Sequence, residues 1–186
     1  HLKCSGFEEW LSAIIIKDSG GRPTSKLKSE ATEFLEGETN LSGKTHEVGL
    51  RAMGNEEYIE IDLGDKGWNS TYITKDNWRV RKHKNYFYRN KSIKALPVPS
   101  RDKLDKDWIG NIFNIGGNSQ SMLIMGWLIG CFMPDRPKPM LVIQGEQGSG
   151  KSFLASMLRS LVDPVKADKT SMPSSERDLY VQAQNN

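Results

Sequence analysis

The sequence predicts an α/β chain in three successive parts. An N-terminal helical unit comes first, then a small antiparallel β-meander, and then the first part of a P-loop nucleoside-triphosphatase domain, cut short. Three observations carry this. Apolar residues recur at helical spacing over residues 7–36, the period changes to two over 46–84, and the string Gly145-Glu146-Gln147-Gly148-Ser149-Gly150-Lys151-Ser152 matches G-x-x-x-x-G-K-[ST].

Phe7, Trp10, Leu11, Ile14 and Ile15 follow i, i+3, i+4, i+7, and Gly20-Gly21 with Pro23 ends that pattern. Leu27, Ala31, Phe34 and Leu35 form a second stripe before Gly37, so residues 1–38 read as two helices. Such a pair serves as packing scaffold or as a helix-turn-helix contact to DNA. From His46 onward Val48, Leu50, Tyr58, Ile59 and Ile61 alternate with polar residues. Turn signals at Gly54-Asn55, Gly64-Asp65 and Asp76-Asn77 divide 46–84 into about four strands, the last around Trp78-Arg79-Val80-Arg81. Pro97 and Pro99 mark a linker over 95–100. Residues 1–100 are therefore read as an α+β accessory domain, and 101–186 as the N-terminal part of the nucleotide-binding domain.

In that second part Trp108, Ile109, Ile112, Phe113 and Ile115 predict a short helix. The run Met122 to Met133, broken only by Gly126 and Gly130, is too short to cross a bilayer and is expected as a buried helix beneath a sheet. Met140-Leu141-Val142-Ile143 reads as a buried strand of a parallel sheet. After the glycine-rich string, Phe153, Leu154, Met157, Leu158, Leu161 and Val162 give one apolar face of a helix, which Pro164 ends.

Strand, loop and helix in this order are what a triphosphate needs. Glycines at 145, 148 and 150 let backbone N–H groups close on phosphate oxygens, and the helix N-terminus adds partial positive charge. Lys151 is expected on the β- and γ-phosphates and the Ser152 hydroxyl on Mg²⁺, while Glu146, Gln147 and Ser149 contribute backbone. The expected ligands are thus ATP and Mg²⁺. Hydrolysis also needs an acid at a later strand end. Asp163 sits at a helix end and Asp62 in a preceding segment, so no catalytic residue is assigned, and a small-molecule kinase lacks the chain for a lid after the loop.

Charge is unevenly placed. Residues 75–94 hold Lys75, Arg79, Arg81, Lys82, Lys84, Arg89, Lys91 and Lys94 against Asp76 alone, a net of +7 on a chain of +3, which leaves −4 elsewhere. Trp78, His83, Tyr86, Phe87 and Tyr88 are interleaved. Cations that track phosphates and rings that stack on bases suit a single strand, with Arg79, Arg81, Lys82, Lys84, Tyr86 and Arg89 as the candidates. The plainer reading is a solvated basic strand edge. Cys4 and Cys131 lack metal or disulfide spacing, no signal peptide or membrane span is visible, and a cytoplasmic location is expected.

Several strings together resemble phage and prophage ATP-binding proteins, the helicase-like P-loop ATPases of replication modules that are often linked to primases. They are Phe7-Glu8-Glu9-Trp10-Leu11 with Gly21-x-Pro23, Tyr58-Ile59-Glu60-Ile61-Asp62-Leu63-Gly64-Asp65, and Ile73-Thr74-x-Asp76-x-Trp78-Arg79-Val80. Leu96-Pro97-Val98-Pro99, Trp127-Leu128-Ile129 through Pro139 to Ser152, and Glu176-Arg177-Asp178-Leu179 complete the set. The resemblance implies an ATPase acting on DNA in phage or mobile-element replication. It also implies an acidic strand end and a polar sensor beyond Asn186, and a primase as partner. Motor ATPases of this kind complete their sites between subunits, so a homo-oligomeric ring is expected. The alternative is a nucleic-acid-binding module with a nucleotide-controlled switch.

Overall fold

Thr24 accepts a hydrogen bond from Leu27 N at 3.2 Å and so caps the second of two N-terminal helices, α1 (Ser5–Ser19) and α2 (Ser25–Ser42). The first ends at Gly20, whose φ of +69° is the left-handed stop that glycine adopts without strain. The computed structural model describes residues 5–102, 108–113, 115, 117–134, 136–166, 175–178 and 180. Cys4 and Leu179 lie outside them. The chain forms two compact units, His1–His46 and Glu47–Asn186, so the proline segment 95–100 falls inside the second unit.

The first unit differs from expectation at Gly37, which lies inside α2 rather than at its end. Glycine in a helix interior costs only about 0.5–1 kcal/mol, and the hydroxyls of Thr39 and Ser42, bonded back to Leu35 O and Glu38 O, continue the helix past it.

The second unit opens with the meander. Four strands, β2 (Ala52–Gly54), β3 (Tyr58–Asp62), β4 (Asn69–Thr74) and β5 (Trp78–Lys82), pair antiparallel in chain order. The predicted turns are where the chain reverses. Asn55 Oδ1 accepts from Glu57 N and Tyr58 N, Gly64 has φ +65°, and Thr74 N donates to Asn77 O at 2.8 Å. Val48 is not part of this sheet. It belongs to β1 (Val48–Gly49), which runs parallel to β6 (Tyr86–Phe87), a pairing that no local turn signal announces.

Direct cross-strand partners share a face, so Glu60 with Tyr72, Asp62 with Ser70, Tyr72 with Arg79, and Ser70 with Arg81 all point one way. The segment 83–90 folds over this polar face. Glu60 and Asp62 are 0 % exposed. Each is saturated: Glu60 accepts from Ser70 Oγ (2.6 Å), Lys84 N (2.8 Å), Asn85 N (2.9 Å) and Asn85 Nδ2 (2.8 Å). Asp62 takes Arg89 Nε at 2.8 Å and His83 Nε2 at 2.9 Å. Trp68 adopts a left-handed φ of +54°, which costs about 1–2 kcal/mol for a side chain of this size. Its ring is held under the Arg89 guanidinium, 4.1 Å from the centroid.

Three helices follow, α3 (Trp108–Ile112), α4 (Asn118–Phe132) and α5 (Lys151–Val162). Their shared core is Ile109, Ile124, Leu154 and Leu158, with Leu141 and Ile143 packed against it. Two expectations are corrected here. Residues 140–143 form no strand with any described segment. The alternation of a strand is present, since Leu141 and Ile143 face the core while Met140 and Val142 are 89 % and 70 % exposed. A strand exists only with a hydrogen-bonded neighbour, and none stands beside it among the described residues. For the same reason α4 is not buried beneath a sheet: Ile124 is enclosed, but Met122 and Leu123 are each 73 % exposed.

The meander and α5 are joined directly. Arg51 donates from Nε (2.9 Å) and Nη2 (2.5 Å) to Asp163 Oδ1, at the C-cap of α5. Beside this pair Lys94 N donates to Pro164 O and Lys166 N to Ser92 O, around an Ile93–Val165 bridge.

Candidate functional site

The loop 145–150 leads straight into α5, whose first residue is Lys151. Gly148 and Gly150 have φ +82° and +80°, the left-handed region where any other residue would be strained, although a Cβ at either would meet no atom within 4 Å. They are needed for backbone direction. At Gly145 the reason is space, because a Cβ there would come within 2.8 Å of Ser149 Oγ. The first amides of a helix have no acceptor within it, so this end of α5 suits an anion.

Lys151 is folded back onto the loop. Its Nζ donates to Gly145 O at 2.8 Å and also to Glu146 O, with Ser149 Oγ at 3.4 Å. Those partners are neutral. A phosphate offers charged oxygens, and charge-assisted hydrogen bonds are about twice as strong as neutral ones. Ser152 is exposed on the first turn, and with Gly148, Ser149, Gly150, Lys151, Phe153 and Ser156 it lines an open cleft of about 710 Å³. These residues fit a magnesium–triphosphate in charge and donor type: one ammonium, a hydroxyl and a row of amides. Gln147 lies in the turn of the loop.

The six residues expected at a nucleic acid divide into two groups. Arg89 is internal, bound to Asp62 and stacked on Trp68, and its side chain is only 13 % exposed. His83 and Phe87, among the interleaved rings, are also drawn inside. Lys82 donates to Gly67 O and Tyr86 sits in β6 with an exposed ring. Arg79, Arg81 and Lys84 lie instead against two tyrosines that are not among the six nucleic-acid candidates. Tyr58 and Tyr72 stack with centroids 4.9 Å apart, Arg81 Cζ is 3.7 Å over the Tyr72 ring, and Lys84 Nζ is 4.6 Å over Tyr58. Their spacing in register 58↔74 and 60↔72 could have marked them, had the pairing been known.

Two acid–base details complete the region. Backbone and side-chain hydrogen bonds from Asn69, then the charges of Arg89 and Lys82, hold the Asp65 carboxyl below its ordinary value despite some burial. Cys131 is a free thiol that burial pushes upward, against the opposing charge of Lys138. Among the described residues no group of three or more His, Cys, Asp or Glu is placed to hold a metal ion, and no helix is long and apolar enough to cross a membrane.

Residues 107–185, which include the loop and α3 to α5, match the family described as actinomycete integrative conjugative element replication protein. This part of the chain is similar to a mobile-element replication protein. The match covers under half of the chain and leaves the meander and the N-terminal helices outside it. It agrees with the expected setting of phage or mobile-element DNA replication, and the element it names is an integrative conjugative one. Neither a curated protein nor a solved structure matches the chain.

Proposed function

We propose that this chain is the nucleotide-binding part of a helicase-like ATPase that acts on DNA during replication of a mobile element. The phosphates of ATP are held by Gly145 to Ser152, with Lys151 on the β- and γ-phosphates and Ser152 on Mg²⁺. One observation carries the reading: the Gly145-x-x-Gly148-x-Gly150-Lys151-Ser152 pattern lies at the open N-terminus of an amphipathic helix, inside the stretch that resembles replication proteins. A ring of subunits and association with a primase belong to the same proposal, since ATPases of this kind share sites between neighbours.

Calorimetric titration of Mg-ATP into the chain and into Lys151→Ala tests it. We expect the substitution to lower affinity at least about tenfold, the 1.4 kcal/mol that one charge-assisted contact supplies at minimum. Equal affinity in the two proteins, or no binding by the parent, would sink the proposal. A second reading is favoured by the self-contained meander, which needs no partner segment to form its charged face: a DNA-binding module with the nucleotide as a switch. ATP turnover that single-stranded DNA stimulates separates the motor from the switch, which would bind both and turn over neither faster.

A further inference from the structure

We infer that the Tyr58–Tyr72 face of the meander is a phosphate-tracking site for single-stranded DNA, in which the tyrosines position cations and do not stack on bases. The inference rests on DNA being the partner, as proposed above, and is independent of the nucleotide loop.

Four observations converge on this face. Arg79, Arg81 and Lys84 surround the two rings, with Arg79 Cζ 6.0 Å and Arg81 Cζ 3.7 Å from the Tyr72 centroid and Lys84 Nζ 4.6 Å from that of Tyr58. The two rings already stack on one another, and cations cover them, so little ring face is left for a base. The nearest carboxylate, Glu60, is fully buried and saturated by Ser70, Lys84 N and Asn85, and stays 3.9 Å from Arg81 Nε. Arg81 Nε and Nη2 are themselves buried, so Arg81 serves to hold the face together, while Arg79 and Lys84 are the exposed cations on it. An exposed guanidinium and ammonium set beside the rings, as Arg79 and Lys84 are, offer charged donors that phosphate oxygens match.

Dimensions favour one strand of DNA. Arg79 and Arg81 lie on β5 and Lys84 just after it, with Lys84 Nζ reaching over Tyr58 on β3, so the head groups cover up to two strand spacings or about 10 Å, and at about 3.4 Å per charge along a strand this accommodates about three phosphates. Glu56, Glu57 and Asp76 occupy the two turns at one end of the sheet, where a wide duplex would bring its second backbone. Contacts of this kind read charge and not sequence.

Fluorescence anisotropy with labelled dT20 and dA20 tests the site, run on the same samples as an Mg-ATP titration. The Arg79→Ala/Arg81→Ala/Lys84→Ala variant should reduce the slope of log affinity against log salt by about 2, from 0.7 per phosphate contact on a single strand. Lys26→Ala/Lys28→Ala, which removes charge from α2, should leave it unchanged. Tyr72→Phe should bind as the parent does, because the ring under Arg81 remains, whereas Tyr72→Ala should weaken binding several-fold. The two homopolymers should bind within about twofold of each other, since base stacking would contribute about 1–3 kcal/mol per base. An unchanged slope in the triple variant, no binding of dT20 by the parent, or a tenfold preference between homopolymers overturns the inference. Loss of Mg-ATP binding alone would overturn the nucleotide proposal and leave this face standing.

Discussion

The meander and the helical segment that follows it place their polar and apolar groups in opposite ways. In the meander the buried face is charged, with Glu60 and Asp62 enclosed and all four of their oxygens accepting hydrogen bonds. Around α3 to α5 the buried face is aliphatic, while apolar side chains at 122, 123, 140, 142 and 153 remain exposed. The difference is one of sequence distance. Antiparallel strands joined by tight turns pair Tyr58 with Thr74 and Asn69 with Lys82, and the segment that satisfies Glu60 and Asp62 follows directly after β5, so the meander closes its hydrogen bonds within one short stretch of chain. A strand of a parallel sheet must wait for a partner beyond a crossover, and residues 140–143 have none among the described residues.

If the charged interior is what holds the meander, breaking it should have the largest effect on stability. Glu60→Ala takes the acceptor from Lys84 N and Asn85 N and one of two from Ser70 Oγ and Asn85 Nδ2, and should destabilise the meander by about 3–5 kcal/mol. Urea unfolding followed by near-ultraviolet tyrosine dichroism would show this, and a loss under about 1 kcal/mol would mean that water replaces the carboxylate. In the apolar region Leu158→Ala, at a position 1 % exposed, should cost about 2–5 kcal/mol. Helical signal in the far ultraviolet reports it.

The link between the two regions is next in size. Arg51→Ala removes both contacts to Asp163 and should cost about 1–2 kcal/mol, between the values for exposed and buried pairs. Two separate unfolding transitions in this variant, where the parent has one, would show that the pair couples meander to α5. Lys151→Ala sits at the small end, with about 0.5 kcal/mol or less, because an exposed side chain bonded to loop carbonyls adds little. Its stability and its nucleotide affinity should therefore separate cleanly.

Acid sharpens the same contrast. Asp65 titrates lower folded than unfolded, so its contribution is complete above the unfolded value and is lost as pH falls towards the folded one. Asp65→Asn should flatten the decline in meander stability below about pH 4, measured as urea midpoints against pH. A parallel decline in both proteins would assign the acid sensitivity elsewhere.

Much of this architecture was legible from residue order. Turn chemistry at Gly54-Asn55 and Asp76-Asn77 placed the hairpins, and the pairing of α5 with the loop before it followed from periodicity after Ser152. Gly37 misled because one glycine weakens a helix without ending it. The basic cluster misled in part. Counting charges cannot tell Arg89, which neutralises Asp62 inside, from Arg79, which stays exposed on β5.

Sequence by itself determined what is local: helix faces, hairpin turns, and the glycine spacing that turns the backbone before α5. Tertiary structure decided which cations remain exposed, that Arg51 meets Asp163 across 112 positions, and that 140–143 has no ladder among the described residues. The reason is physical. Local geometry follows from torsional preference and period within a few residues, whereas the fate of a charge or of a strand edge depends on which distant group arrives beside it.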